Sequence, residues 1–195
     1  MSGIGLVLSR TPDPPKHQDN ICAIFEARRG WFREAVAVEA RWGTPAHVQL
    51  AIIKQESGFR NDAQPPRRTL LGFIPWSRPS TAYGYPQAMD DTWDWYMEQT
   101  GNRGAHRDDF GDATDFIGWY TDMSHRRLKI AKSDTYRQYL AYHEGHGGFS
   151  RGSYEKKPWL KIVAAQVDTL SKRYAAQLRQ CRETLQNAWQ WWPFS

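Results

Sequence analysis

The chain has 195 residues, a formal net charge of +5 and a pI near 9.3: enough length for one domain with a buried core, and a charge that suits an anionic partner. No segment approaches the roughly 18 consecutive apolar residues of a membrane span, which excludes a spanning helix within the chain. Arg and Lys are interleaved with Asp and Glu, and no zinc-ligand spacing, helix-turn-helix pattern or RNA-binding aromatic signature occurs, so a nucleic-acid module is excluded as well.

In chain order, residues 1–18 read as a flexible lead-in, with Pro12, Pro14 and Pro15 in its second half. Its apolar opening, Gly3 to Leu8, is short and lacks a basic leader; it is the remnant of a signal sequence only if the true start lies upstream. Asp19 or Asn20 caps a first helix reaching about Arg29, and a second runs from near Trp31 to Trp42 and stops at Gly43. Thr44-Pro45 pairs a side-chain N-cap with proline at the first helical position, and Gly58 is a cheap left-handed stop, so a third helix covers roughly residues 44–57.

The segment Asn61–Ser80 holds four prolines and an apolar centre, Leu70 to Trp76. Loops this long are usually lids or binding loops, and here the centre is expected to pack against the domain. A small hairpin between 60 and 85 fits the pattern. Further helices follow at about 90–100, capped by Asp90 or Asp91 and stopped at Gly101, at 112–128, at 133–143 opening at Ser133, and from Pro158 to about Leu185. The expected fold class is therefore mainly α: one helical domain over residues 19–186 with at most a small hairpin. The aromatic tail, 187–195, is expected to dock back on it.

The third helix carries the most chemical information. Ile52 and Ile53 precede Glu56 by four and three residues, so they share its face. A carboxylate on a buried helix face loses solvent, and the negative helix C-terminus disfavours its charge further. Both effects raise its pKa towards what a general acid needs at neutral pH. The alternative is an ordinary solvated glutamate at a helix end. The chain also holds ten tryptophans and nine tyrosines. Aromatic faces stack well on the apolar faces of sugar rings. Trp42, Trp93, Phe116, Trp119 and Tyr174 read as core, and Tyr83, Tyr85 and Tyr142 as cleft candidates.

Two later segments join Glu56-Ser57: Ala82-Tyr83-Gly84-Tyr85-Pro86-Gln87 and Ala141-Tyr142-His143-Glu144-Gly145. Glu-Ser, then Ala-x-Gly-x-x-Gln, then Ala-Tyr-x-x-Gly resembles the soluble lytic transglycosylase (SLT) family of lysozyme-like enzymes, from about Thr44 to Gly145, with Thr92-Trp93 where the family often has a similar pair. Three differences stand out. The family's usual Gly-Leu-Met-Gln is Gly84-Tyr85-Pro86-Gln87 here, His143 replaces an asparagine, and the loop between Glu56 and Gln87 is long.

The resemblance implies a lysozyme-like fold and cleavage of peptidoglycan without water. Glu56 would act twice, first protonating the glycosidic oxygen and then deprotonating the C6 hydroxyl of N-acetylmuramic acid, which closes a 1,6-anhydro ring. Ser57 would hold the local turn and Ser80 would stand beside the glutamate. Tyr83, Gly84 and Gln87 would contact substrate, Tyr142 would orient Glu56, and His143 would replace the asparagine's hydrogen bond. Glycoside hydrolysis needs a second carboxylate, and Glu144 is the nearest candidate for a goose-type lysozyme-like hydrolase, because Asp90 and Asp91 read as caps. A catalytically silent peptidoglycan-binding module is the third reading.

The resemblance further implies a monomer in the bacterial envelope, in the periplasm, acting on glycan strands without a cofactor. Membrane association is left open. His125, His143 and His146 do not form a metal set, and no metal is expected. Cys22 and Cys181 lie in segments that read as helix. In an exported protein a disulfide between them would stabilise by about 4 kcal/mol in the chain-entropy model; otherwise they are two unrelated buried thiols. Asp19-Asn20-Ile21 before Cys22 is not a lipoprotein cleavage box.

Overall fold

The structure, a computed structural model, describes residues 13–65, 69–70, 74–75 and 80–190. Most of the lead-in, most of the apolar loop centre and the end of the aromatic tail lie outside the described residues. Among the described residues seven helices follow in order: α1 (Ile21–Ala27), α2 (Arg29–Trp42), α3 (Ala46–Ser57), α4 (Asp90–Thr100), α5 (Phe110–Leu128), α6 (Thr135–Ser150) and α7 (Pro158–Gln190). A 3₁₀ turn, Ser153–Lys156, precedes α7. The expected hairpin is a two-residue antiparallel ladder, β1 (Thr69–Leu70) on β2 (Ile74–Pro75), with Thr69 opposite Pro75. The fold is mainly α, as expected.

α3 is the central helix. Val48 and the five residues Leu50 to Ile53 with Gln49 are buried almost all round, because α2, α5 and α7 cover it on different sides. Helices apolar on every face are core helices, and each fully buried Leu or Ile contributes about 1.5–3 kcal/mol. The tightest approach is between α2 and α5. A Cβ on Gly118 would stand 2.5 Å from Val38 Cγ1 and 2.7 Å from Trp42 Cδ1, so only glycine admits this contact. Beside it, the Asp115 carboxylate accepts from Trp42 Nε1 and from the Tyr96 hydroxyl, each at 2.7 Å, and from Arg41 at 3.1 Å. One charge thereby ties α2, α4 and α5 together.

The glycine stops fall where expected, whereas several starts shift by about two residues and the last two helices run past their expected ends. Gly43, Gly58 and Gly101 all adopt the left-handed conformation that ends α2, α3 and α4. Asn20 caps α1 by accepting from the Ala23 N–H. Thr44, by contrast, does not cap α3: Pro45 holds the N-cap position, and the buried Thr44 hydroxyl pairs with Thr121 at 2.6 Å instead. A tertiary partner on α5 displaces the local one. Similarly, Met89 rather than Asp90 or Asp91 is the N-cap residue of α4, although both aspartates sit in its first turn, where the helix dipole favours them. α5 starts at Phe110, capped by Asp109, and α6 is capped by Asp134 rather than opened at Ser133. α6 also continues to Ser150 across a kink at Gly145, and α7 reaches Gln190.

Of the two readings of the cysteines, the structure has the bonded one. Cys22 and Cys181 form a disulfide joining α1 to α7, with Cα atoms 6.1 Å apart across 159 positions of sequence. Gln177 reinforces the junction by accepting from the Ile21 N–H at 3.0 Å, and the Tyr174 hydroxyl donates to the Gln18 carbonyl. Trp93, Phe116, Trp119 and Tyr174 are buried as expected, whereas Trp42 is only partly so.

Candidate active site

Glu56 is the penultimate residue of α3. Ile52 and Ile53, fully buried one turn earlier, fix the face on which it emerges. Gly58 then turns the chain away in a left-handed C-cap, and Phe59, also at positive φ, buries its ring against the core. Loss of solvent pushes the Glu56 carboxyl up to about 7, while the Tyr139 hydroxyl pulls the other way. Burial wins. At neutral pH a large fraction of this carboxyl carries its proton.

The carboxyl opens on a cavity of about 370 Å³. One wall comes from the segment before and at the start of α4, with Ser80, Gln87, Met89 and Thr92. Another comes from Phe116 and Tyr120 of α5, and the third from Tyr142, His143, Glu144 and Gly145 of α6. Gly145, at φ 72° and ψ 158°, breaks α6 where it meets the cavity, in a conformation open essentially to glycine alone. A larger groove of about 580 Å³ runs between α3 and α7 past Lys54, Gln55 and Arg173. Its one carboxylate, Asp19, is held low by hydrogen bonding and ion pairing to Lys54, so it offers no acid near neutrality. Of the two, the smaller cavity is the one lined by a carboxyl raised towards neutrality.

The structure brings together five of the residues expected there: Glu56, Ser80, Gln87, Tyr142 and His143. Their contacts differ from expectation in two ways. The Tyr142 hydroxyl donates to the Pro86 carbonyl at 2.7 Å, and Tyr139, one turn earlier on α6, is the phenol whose hydroxyl lowers the Glu56 pKa. Tyr139 and Tyr142 are three residues apart and so share a helix face, a spacing that marks Tyr139 in the sequence once Tyr142 is a candidate. Gln87, at φ 50°, donates its amide to the carbonyls of Ala63 (2.8 Å) and Gly84 (2.9 Å). Those bonds shape the turn, whereas the expectation was a bond to substrate.

The other expected residues do not line the cavity. The Ser57 hydroxyl donates back to the Ile53 carbonyl at 3.1 Å, which holds the helix end. Tyr83 points its hydroxyl at Asp108 and lies under the Arg107 guanidinium. Tyr85 is 3 % exposed because it packs edge-on against Trp31 and Phe110; it is core, not cleft. Gly84 serves a close approach: a Cβ there would stand 2.2 Å from the Arg107 carbonyl oxygen.

The second carboxylate at the cavity is committed elsewhere. Glu144 Oε1 accepts from Lys157 at 2.7 Å and faces His143 Nδ1 at 3.1 Å, and Oε2 accepts from the Ser153 hydroxyl. Burial alone would raise its pKa, but hydrogen bonds from Lys157, Ser153 and His143 outweigh that and hold it at about 2. One other carboxyl, Glu34, is pushed up to about 7, by burial and by Asp109, but it lies on α2 and does not line the cavity. Among the described residues no group of His, Cys, Asp and Glu could hold a metal ion, and no helix is long and apolar enough to cross a membrane.

A family model described as "Transglycosylase SLT domain" matches residues 2–181. No curated protein and no solved structure matches the chain. A match over nearly the whole length, on a mainly helical domain, decides the assignment: the chain belongs to the transglycosylase SLT domain family.

Proposed function

We propose that this protein is a peptidoglycan lytic transglycosylase with Glu56 as its single acid and base. The observation that carries the reading is the pairing of one protonatable carboxyl, Glu56, with a second carboxylate, Glu144, whose two oxygens are already occupied. A hydrolase needs an available base to activate water. A transglycosylase needs only one group that donates a proton and then takes one back.

Protonated Glu56 gives its proton to the β-1,4 glycosidic oxygen between N-acetylmuramic acid and N-acetylglucosamine. The C1–O bond breaks, the N-acetylglucosamine leaves with its 4-hydroxyl restored, and positive charge develops at C1, stabilised by the substrate's own N-acetyl carbonyl. The Glu56 carboxylate then removes the C6 hydroxyl proton, O6 bonds to C1, and a 1,6-anhydro ring closes. Glu56 is protonated again and no water is consumed. A pKa near 7 suits both halves, because general acid–base catalysis works best when the group's pKa lies near the working pH.

The substrate makes the rest of the reading. The net charge of +5 suits a glycan whose peptides carry carboxylates, and on this reading the protein acts as a monomer in the bacterial envelope, where the Cys22–Cys181 disulfide would persist. Mass spectrometry of sacculi digested with the protein tests the mechanism. Anhydromuramoyl ends are expected. Reducing ends would make it a goose-type hydrolase, and intact sacculi a silent binding module.

A further inference from the structure

Large apolar side chains left exposed among the described residues are Met89, Trp159 and Ile162, at 52 %, 53 % and 60 %. A single such side chain needs no explanation. Their distribution does. Met89 lines the cavity at its α4 side. Trp159, in the first turn of α7, packs edge-on against His143 with ring centroids 5.3 Å apart, and His143 lines the same cavity at its α6 side. Ile162 borders the separate groove between α3 and α7.

The rim that holds Trp159 is built rather than loose. His143 is fixed through Nδ1 by Glu144, whose carboxylate is 4 % exposed and is itself held by Lys157 and Ser153. Pro158 starts α7 directly after Lys157, so the backbone under Trp159 is anchored on both sides. An exposed indole beside a fixed imidazole offers a flat apolar face with polar edges. That is the surface a pyranose ring stacks on.

We infer that Trp159 and His143 form an additional saccharide subsite at the α6–α7 rim, taking an N-acetylhexosamine ring of the glycan strand beyond the two that flank the cleaved bond. The inference rests on the glycan-cleaving function proposed above. The subsite lengthens the grip on the strand without touching the reacting atoms. Its contribution is therefore to affinity for long substrates.

The test is calorimetric titration of the full chain carrying Glu56→Gln, which keeps ligands intact, with chitin oligosaccharides from the disaccharide to the hexasaccharide. Affinity is expected to step up at the length that reaches the rim. Adding Trp159→Ala should remove that step, about fivefold to tenfold, and leave shorter oligosaccharides unchanged, while Trp159→Phe keeps most of it. An unchanged step in Trp159→Ala overturns the subsite and leaves the glycan-cleaving function standing. No binding at any length also overturns the subsite, while digestion of sacculi by the wild type decides the glycan-cleaving function separately.

Discussion

The Tyr142 hydroxyl donates to the Pro86 carbonyl at 2.7 Å, so the tyrosine of the Ala-Tyr-x-x-Gly motif holds the turn carrying Gln87 rather than the Glu56 carboxyl. Gln87 braces that turn from the other side through Ala63 and Gly84. The three motifs thus meet in space, and much of what their side chains do is to fix one another. The phenol that bears on the acid's charge is Tyr139, one helical turn back.

This division separates two conservative variants. Tyr139→Phe removes the hydroxyl that favours the Glu56 carboxylate, so the Glu56 pKa should rise and the alkaline limb of kcat/KM should move up by about one pH unit. Tyr142→Phe should leave that limb in place and lower stability by about 0.5–1.5 kcal/mol, the worth of one neutral hydrogen bond. The check is the pH–rate profile on purified sacculi beside denaturant unfolding. Equal shifts in both variants would contradict the assignment of the two phenols.

Glu56→Gln should reduce turnover by about 10²–10⁴-fold, the usual worth of a general acid. Its stability should move the other way. The Glu56 pKa is raised from 4.5 to about 7 on folding, so its contribution to stability is fully present below pH 4.5 and is lost as pH rises through 7. At pH 8 the wild type carries the cost of ionising a half-buried carboxyl, on the order of 3 kcal/mol, and the glutamine does not. Melting curves at pH 4 and pH 8 should show the variant gaining several degrees over wild type only at the higher pH. Glu34 titrates in the same window in both proteins, so it cancels in the comparison.

Glu144→Gln should leave the product unchanged, since both Glu144 oxygens are engaged in holding His143, Lys157 and Ser153. The expected loss is in stability, about 1–3 kcal/mol at pH 7. Because folding lowers the Glu144 pKa from 4.5 to about 2, that contribution is present above pH 4.5 and fades as pH falls towards 2. A variant that folds yet yields no cleaved product would restore Glu144 as the base of a hydrolase.

Two glycine variants separate space from torsion. Gly84→Ala places a Cβ 2.2 Å from the Arg107 carbonyl oxygen at φ 72°, and should cost at least about 2 kcal/mol. Gly145→Ala meets no neighbouring atom, but the backbone there is closed to alanine, at a cost of about 1–3 kcal/mol. Relief of that strain would straighten α6 at the cavity edge, so activity should fall further than stability. Sacculus turnover and chemical unfolding, measured on each variant, decide it.

Reductant should lower the melting temperature by several degrees, because the Cys22–Cys181 bond closes a very long loop and is worth about 4 kcal/mol in the chain-entropy model. Thiol titration of the unreduced protein should find no free cysteine. Two titratable thiols would rule the bond out.

The helices and their stops were legible from local chemistry alone, because a left-handed glycine at position 43, 58 or 101 ends a helix whatever it later packs against. So was the candidate acid, since Ile52 and Ile53 at helical spacing already imply a buried face for Glu56. What local chemistry could not decide was partnership. Thr44 leaves its cap for Thr121, Tyr85 goes to the core rather than the cleft, and Tyr142 donates to Pro86 instead of the acid. Thr44 and Tyr85 are each settled by neighbours distant in sequence, competing with local alternatives by about a kilocalorie or two, and only the assembled helices bring those neighbours into range.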